Sequence, residues 1–272
     1  MLTRAQRRSW EDDGYLVLDG FLDVHAVDRL NAAVDRAWVT RRDPGNPLVA
    51  DIWLDDLERA ARMLLRDAPD ESRAHPHKIN DLYLVDPTVR EITLSRPLHR
   101  VLRALIGGDV AICNSLNLEW GSQQPLHFDT YYMPAPDPDG LIVTSICLED
   151  HHPDAGPLRY YPGSHRIPAY VFSDGGRREV QAEIELAQKH ALDEIDKRGL
   201  EPTQFHGRAG DVFIWHEQLY HGGSPIADAR RTRRTLVTHY WRREGLELGP
   251  DSSLEHIDRH RWYVRRPHQP VG

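Results

Sequence analysis

Apolar residues in the first hundred positions recur mostly at three- and four-residue intervals; beyond Val110 they gather into short runs broken by glycine and proline. The run GYLVLDGFL at 14–22 predicts a short strand that leads through Asp23, a helix N-cap, into a helix carrying Val27, Leu30, Val34 and Ala37 at helical spacing. A second amphipathic helix is predicted near Ile52 to Arg66, with Trp53, Leu57, Ala60 and Leu64 on one face and charges opposite. Residues 75–85, HPHKINDLYLV, are less regular, and His75 and His77 read as surface histidines beside a proline. Pro97 to Ile106 has proline in its first turn, Leu98, Val101, Leu102 and Leu105 as a stripe, and Gly107-Gly108 as a stop. These segments predict a helical N-terminal third.

The second pattern covers VAICNSLNLEW from Val110, a QPLHFDTYYM strand, LIVTSICLE at 141–149, DVFIWH at 211–216 and RTLVTHYW at 234–241. So many short strands, punctuated at each junction, predict a sandwich or jelly roll, and helices followed by strands make the class α+β with a mainly β core. Arg177 to Arg198 interrupts with Val180, Ile184, Ala187, Ala191 and Ile195 at helical spacing, an inserted helix beside the jelly roll. The polar end, about 250–272, reads as a tail or a lid.

A chain of 272 residues without a linker predicts a single domain over 1–272, with its core at about 14–241. The net charge of −8 and the dispersal of arginines among acids leave no basic stripe, which argues against nucleic-acid and anionic-membrane partners. Apolar runs are too short to span a bilayer, and MLTRAQRRSWEDDG lacks a signal-peptide core, so a soluble, cytoplasmic protein is expected. Cys113 and Cys147 fall in apolar runs and read as buried reduced thiols. With sixteen histidines, no single one carries weight without geometry.

The pattern His-x-Asp occurs three times, at His127–Asp129, His152–Asp154 and His256–Asp258. Read as a strand, the first copy points both side chains the same way, about 7 Å apart, close enough to grip one ion. Joined by a second histidine, such a pair makes the facial triad that holds Fe(II) and leaves three coordination positions open. The second copy contains Pro153 and runs into Ala155-Gly156-Pro157, which is turn chemistry. The third lies in the polar end, with no long segment after it to supply another ligand. His221, at a strand end before Gly222-Gly223, is the favoured third ligand, with His216 its rival. Arginines 230, 231, 233 and 234 cluster before the next strand, where a guanidinium could grip a carboxylate in parallel hydrogen bonds, and Lys78 is a further candidate anion contact.

HFD at 127–129, AGPLRYYPGSHR at 155–166, GDVFIWHEQLYHGGS at 210–224 and RRTLVTHYW at 233–241 follow one another in an order that resembles the phytanoyl-CoA dioxygenase family of Fe(II)/2-oxoglutarate oxygenases. GYLVLDGFL matches too, so the likeness covers most of 14–241. The resemblance implies a double-stranded β-helix, cupin-like in shape, with Fe(II) held by His127, Asp129 and His221. It also implies 2-oxoglutarate as cosubstrate, its far carboxylate on Arg233 with Arg231 and Arg234 as alternates, and O2 as oxidant. Where some members carry a tryptophan in the strand after the HxD motif, this chain has Ile146. The expected reaction releases succinate and CO2 and oxidises a small-molecule substrate. Related halogenases lack the carboxylate, so Asp129 favours hydroxylation or another oxidation such as desaturation. Asn117, Tyr131, Tyr132, Met133, Arg159 and Trp241 flank the ligands and are candidate substrate contacts. An acidic chain without a basic groove suits a small free metabolite better than a coenzyme A thioester. A cupin-like metal enzyme without 2-oxoglutarate and a non-catalytic jelly-roll binding protein are the rival readings.

Overall fold

Local hydrogen bonding fixes the first elements of the chain, whose computed structural model describes residues 2–54 and 60–267. Thr3 and Gln6 form a reciprocal capping box that starts α1 (Arg4–Asp13), and Gly14 ends it at φ 78°. This helix buries no residue, so no apolar period announced it. After β1 (Tyr15–Leu18), the Asp23 carboxylate accepts from the Ala26 N–H at 2.8 Å and starts α2 (Val24–Val39), which buries Val27, Leu30, Val34 and Ala37 as predicted.

The next stretch differs from expectation. In place of one helix from Ile52 to Arg66, β2 (Val49–Ile52) pairs with β3 (Ala61–Leu64), while Leu57 lies outside the described residues. β2 also pairs with β4 (His77–Asn80), so it is hydrogen-bonded along both edges and buried throughout. That two-sided ladder outweighs a local helical period of four apolar positions. The N-terminal third is therefore not wholly helical; three of its strands extend the main sheet. α3 (Pro87–Thr93) and α4 (Arg96–Ile106) follow, the latter burying Leu98 and Leu102 and ending at Gly107 with φ 77°.

The core strands are β5 (Val110–Leu118), β6 (Leu141–Cys147) and β7 (Leu158–Tyr160), then α5 (Ile184–Arg198), β8 (Thr203–Phe205), β9 (Val212–His216), β10 (His221–Gly223) and β11 (Thr235–Arg242). The large sheet runs β1-β9-β6-β11-β5-β4-β2-β3 and the small one β10-β7-β8. Strand alternation sorts the residues of the large sheet. Ile142, Ile146, Ile214 and Leu236 join the cluster packed with α2 and α4, whereas Val143, Phe213 and Trp215 join Tyr160 and Phe205 of the small sheet. The result is a double-stranded β-helix with helices packed outside the large sheet. The inserted helix begins at Ile184 instead of Arg177, because Val180 is extended and Gln181–Glu183 form a 3-10 turn. Its Ala187, Ala191 and Ile195 pack on Phe128, Tyr131, Phe172 and Tyr220.

The C-terminal segment is neither tail nor lid over its described part. β12 (Ser253–Asp258) and β13 (Arg261–Arg265) form a hairpin, and β13 pairs in parallel with β5 through Trp262 and Tyr263. Arg266 pins it by donating to Asp81 at 2.8 Å. Cys113 and Cys147 are buried and unbonded to each other, and no helix among the described residues is long and apolar enough to cross a membrane.

Candidate metal centre

His127 and His221 exchange backbone hydrogen bonds in a single antiparallel bridge, N–H to O at 2.8 and 3.0 Å. The segment predicted as the QPLHFDTYYM strand is only this bridge: Asp129 opens a 3-10 turn (Asp129–Tyr131), and its N–H donates to the Glu217 carbonyl at 3.2 Å. Pro125, which has no N–H to give a ladder, stands just before. His127 and Asp129 thus converge through a bridge followed by a turn, not through strand alternation. The ligand atoms of His127, Asp129 and His221 all lie within 4.8 Å of one another, and both Nε2 atoms are 3.9 Å from the same Asp129 Oδ1.

The two imidazoles are held alike. His127 Nδ1 lies 2.8 Å from the Pro125 carbonyl and His221 Nδ1 2.8 Å from that of Leu219. Each carbonyl places the proton on Nδ1, so each Nε2 lone pair faces the third residue. Burial, seconded by the neighbouring His221, pushes His127 down to about 3. Burial pushes the Asp129 carboxyl up, but His221, His239 and His127 outweigh it and hold it below the usual carboxylate range. Neutral imidazole beside ionised carboxylate is the state in which a divalent cation binds. His216 is elsewhere, between Trp10 and His165 at ring distances of 5.7 and 5.6 Å.

Two further neighbours of Asp129 had not been singled out. Trp215 Nε1 donates to Oδ2 at 2.7 Å, and His239 Nε2 stands 3.5 Å from Oδ1. Counting by twos from Arg233 along RRTLVTHYW gives Thr235, Val237 and His239 on one face, a signal that was present in the chain.

The arginines separate by their partners. Arg234 donates to Glu119 at 2.9 Å, and Arg231 and Arg230 pair with Asp228 at 3.3 and 2.9 Å. Arg233 is 5 % exposed, forms no ion pair among the described residues, and leaves Nε without a hydrogen-bond partner. Burial lowers its pKa to about 10. A buried guanidinium without an anion is costly, so this cavity fits a carboxylate from outside the chain. Lys78 lines the same cavity 3.5 Å from Asp51, a carboxylate that Arg62 already holds with bonds of 2.6 and 3.0 Å.

The cavity, about 220 Å³, lies between the two sheets, and the triad, Arg233, Ser145 and Val237 form one part of its wall. Trp53, His77, Leu118 and Trp120 form another. His77 corrects the surface reading: pairing of β4 with β2 turns it inward, its ring meets Trp38 and Trp120 edge-on, and burial lowers its pKa. Ile146 faces the helices, and Ser145 takes the cavity position in β6.

The six proposed substrate contacts are not among the residues lining this cavity. Asn117 lies between the lining residues Leu116 and Leu118 and donates to the Thr235 carbonyl at 3.5 Å. Tyr131 is buried against Phe128 and Phe172, and its hydroxyl donates to the Ala187 carbonyl. Met133 and Trp241 pack on the core under the small sheet. Arg159 alternates with the lining Leu158. Tyr132 comes nearest, 41 % exposed with its ring edge-on to His127 at 5.1 Å.

A facial pair of imidazoles with one carboxylate, buried in a β-helix beside a guanidinium without an ion-pair partner among the described residues, defines the class of non-haem iron enzymes that use an acid cosubstrate. Known proteins agree. The profile of the phytanoyl-CoA dioxygenase family matches residues 10–235, and the chain belongs to that family as a 2-oxoglutarate-dependent non-haem iron dioxygenase. The ectoine dioxygenase of Nocardia farcinica is 24 % identical over 242 residues, covering 80 % of this chain and 71 % of its own. That of Halomonas elongata is 27 % identical over 249 residues, covering 72 % and 73 %. Among solved structures, the non-heme alpha-ketoglutarate-dependent carbocyclase SnoK from nogalamycin biosynthesis superposes with a TM-score of 0.65 at 18 % identity, over 88 % of this chain and 84 % of that one. EctD from S. alaskensis with 2-oxoglutarate and 5-hydroxyectoine gives 0.60 at 20 % identity, over 88 % and 76 %.

Proposed function

We propose that His127, Asp129 and His221 hold Fe(II), that Arg233 anchors the distal carboxylate of 2-oxoglutarate, and that the enzyme hydroxylates a small free metabolite. The observation that carries this reading is the pairing of two Nε2 lone pairs, each locked by a carbonyl on Nδ1, with a buried Arg233 that forms no ion pair among the described residues and leaves Nε without a partner. When bound, the iron and its cosubstrate supply the oxidising power: O2 is consumed, 2-oxoglutarate leaves as succinate and CO2, and one oxygen atom goes to a substrate C–H bond.

The chain's own residues prepare for that chemistry. Arg233 offers a planar fork in a site away from water, where a charge-assisted bidentate contact is strongest. Ser145 Oγ, 2.7 Å from Thr235 Oγ1, adds a hydroxyl on the same wall. Trp53, Leu118 and Trp120 give the cavity an apolar wall that excludes water from a reacting substrate. Asp129 fills the position that a halogenase leaves open for chloride, which favours hydroxylation. A net charge of −8 and the lack of a basic groove favour a compact metabolite over a coenzyme A thioester, and the relatives named ectoine dioxygenases make ectoine the first probe.

The test is to supply Fe(II)-loaded enzyme with 2-oxoglutarate and 18O-labelled O2 and to add ectoine and a panel of free amino-acid derivatives one at a time. The reading predicts succinate release stimulated by one compound, with one labelled oxygen in its product. Stimulated succinate release with an unlabelled, desaturated or rearranged product would replace hydroxylation with another oxidation.

A further inference from the structure

We propose that Trp215 and His239 are positioning residues that hold Asp129 as a one-oxygen ligand and so keep a coordination position open for the cosubstrate. The inference rests on the assignment of Asp129 as a metal ligand made above.

A carboxylate can meet a cation through one oxygen or through both. Two-point binding would occupy a position that a chelating cosubstrate needs. In this site the two oxygens are already distinguished. Oδ2 accepts the Trp215 indole N–H at 2.7 Å, while Oδ1 is the atom 3.9 Å from both His127 Nε2 and His221 Nε2. An indole N–H is a donor only, and one given to an ionised carboxylate is charge-assisted, so Oδ2 is held away from the two imidazoles. His239 Nε2 stands 3.5 Å from Oδ1 but outside the mutually close set of ligand atoms. It flanks the ligating oxygen without joining the triad.

The sheet explains why these two residues converge. Trp215 in β9 and His239 in β11 are both register partners of Val143 in the strand between them. The three form one row across β9, β6 and β11, with the outer two about 10 Å apart at two strand spacings. The row lets one side chain approach the Asp129 carboxylate from either side, and both Trp215 and His239 are buried. The Trp215 ring is braced by Phe213 at 5.8 Å and His221 at 5.2 Å. His239 Nδ1 has no partner among the described residues, so the contact at Nε2 is the one its ring nitrogens make there.

The experiment compares Trp215→Phe, His239→Leu and His239→Gln with wild type, reading Co(II) affinity and, with Fe(II) saturating and O2 excluded, 2-oxoglutarate affinity by visible absorbance. Loss of an outer partner of a metal ligand typically costs about 10–100-fold. The proposal predicts that Trp215→Phe still binds metal, at an affinity lowered by no more than that, and at saturating metal weakens 2-oxoglutarate binding by about tenfold or more. It predicts the same direction for His239→Leu, with partial recovery in His239→Gln, which keeps an N–H. A purely structural role would lower the unfolding temperature and leave 2-oxoglutarate affinity at saturating metal unchanged, and that result overturns the proposal. If Trp215→Phe does not fold, the His239 pair decides alone: equal affinities in the Leu and Gln variants contradict it. Asp129→Ala is run in parallel; retained metal there defeats the ligand assignment itself, a different failure from this one.

Discussion

The segments His127–Asp129 and His152–Asp154 share a tripeptide pattern and have opposite fates. In the second, imidazole and carboxylate are 3.6 Å apart, closer than the 3.9 Å of the first. Proximity is therefore not what makes a site. The side chains of the second pair are 42 % and 54 % exposed, against 8 % and 6 % for the first. His152 also spends its Nδ1 on the Asp154 N–H at 3.2 Å, closing its own turn. His127 turns Nδ1 to a carbonyl, frees Nε2, and meets His221 from another strand. Burial, an Nε2 lone pair left free to face a cation and a distant third residue are what the loop copy lacks.

Breaking the buried copy should have the largest effect. His127→Ala, Asp129→Ala and His221→Ala should each lower Fe(II) affinity by more than the roughly 10–100-fold cost of losing an outer partner, whereas His152→Ala and Asp154→Ala should titrate as wild type in a chelator competition. The arginines sharpen the contrast next. Arg233→Ala should weaken 2-oxoglutarate binding by a factor on the order of hundreds, since stripping one partner from a buried pair costs about 3–5 kcal/mol. Arg233→Lys should recover part of the loss because it restores charge but not the planar fork. Arg231→Ala, which removes only an exposed surface pair with Asp228, should bind the cosubstrate normally.

Phe128, between His127 and Asp129 in sequence, is fully buried against Tyr131 and Tyr220. Phe128→Ala should cost about 3–5 kcal/mol in urea unfolding, while the loop residue Pro153→Ala should change stability by less than about 1 kcal/mol. The smallest effect concerns acid. Burial lowers both His151 and His216 to about 4, so the folded state binds fewer protons than the unfolded one between about 4 and the ordinary 6.5. Stability of the metal-free protein should then fall as pH drops through that window, and His216→Gln should flatten the slope seen in thermal unfolding. An unchanged slope in that variant would remove His216 from the account.

Much of this was legible because its causes are local. β5, β6, β9 and β11 carry short apolar-rich runs with clear ends, and α2 and α4 carry an apolar stripe after a capping or proline start. The triad was legible through HFD and a histidine before two glycines, although the reason for convergence was misread as strand alternation. What escaped depends on partners distant in sequence. The stretch from Ile52 to Arg66 looks helical until the ladders of β2 with β3 and β4 are known, and the C-terminal hairpin depends on β5 and on Asp81 for its place. The tryptophan wall of the cavity is assembled by the register that sets Lys78 opposite Leu118, which no local spacing reveals. Of the six candidate substrate contacts, Asn117 and Arg159 alternate with lining residues of their strands, while Tyr131 sits in a 3-10 turn and packs on Phe128 and Phe172.

The central claim is that one cavity presents a metal triad and an anion-seeking arginine to a single chelated cosubstrate. The most direct measurement is visible absorption on anaerobic addition of Fe(II) and 2-oxoglutarate to the wild type, His216→Ala and His221→Ala. The account predicts a charge-transfer band in wild type and His216→Ala and none in His221→Ala. No band in wild type, or a band that survives in His221→Ala and vanishes in His216→Ala, would contradict it.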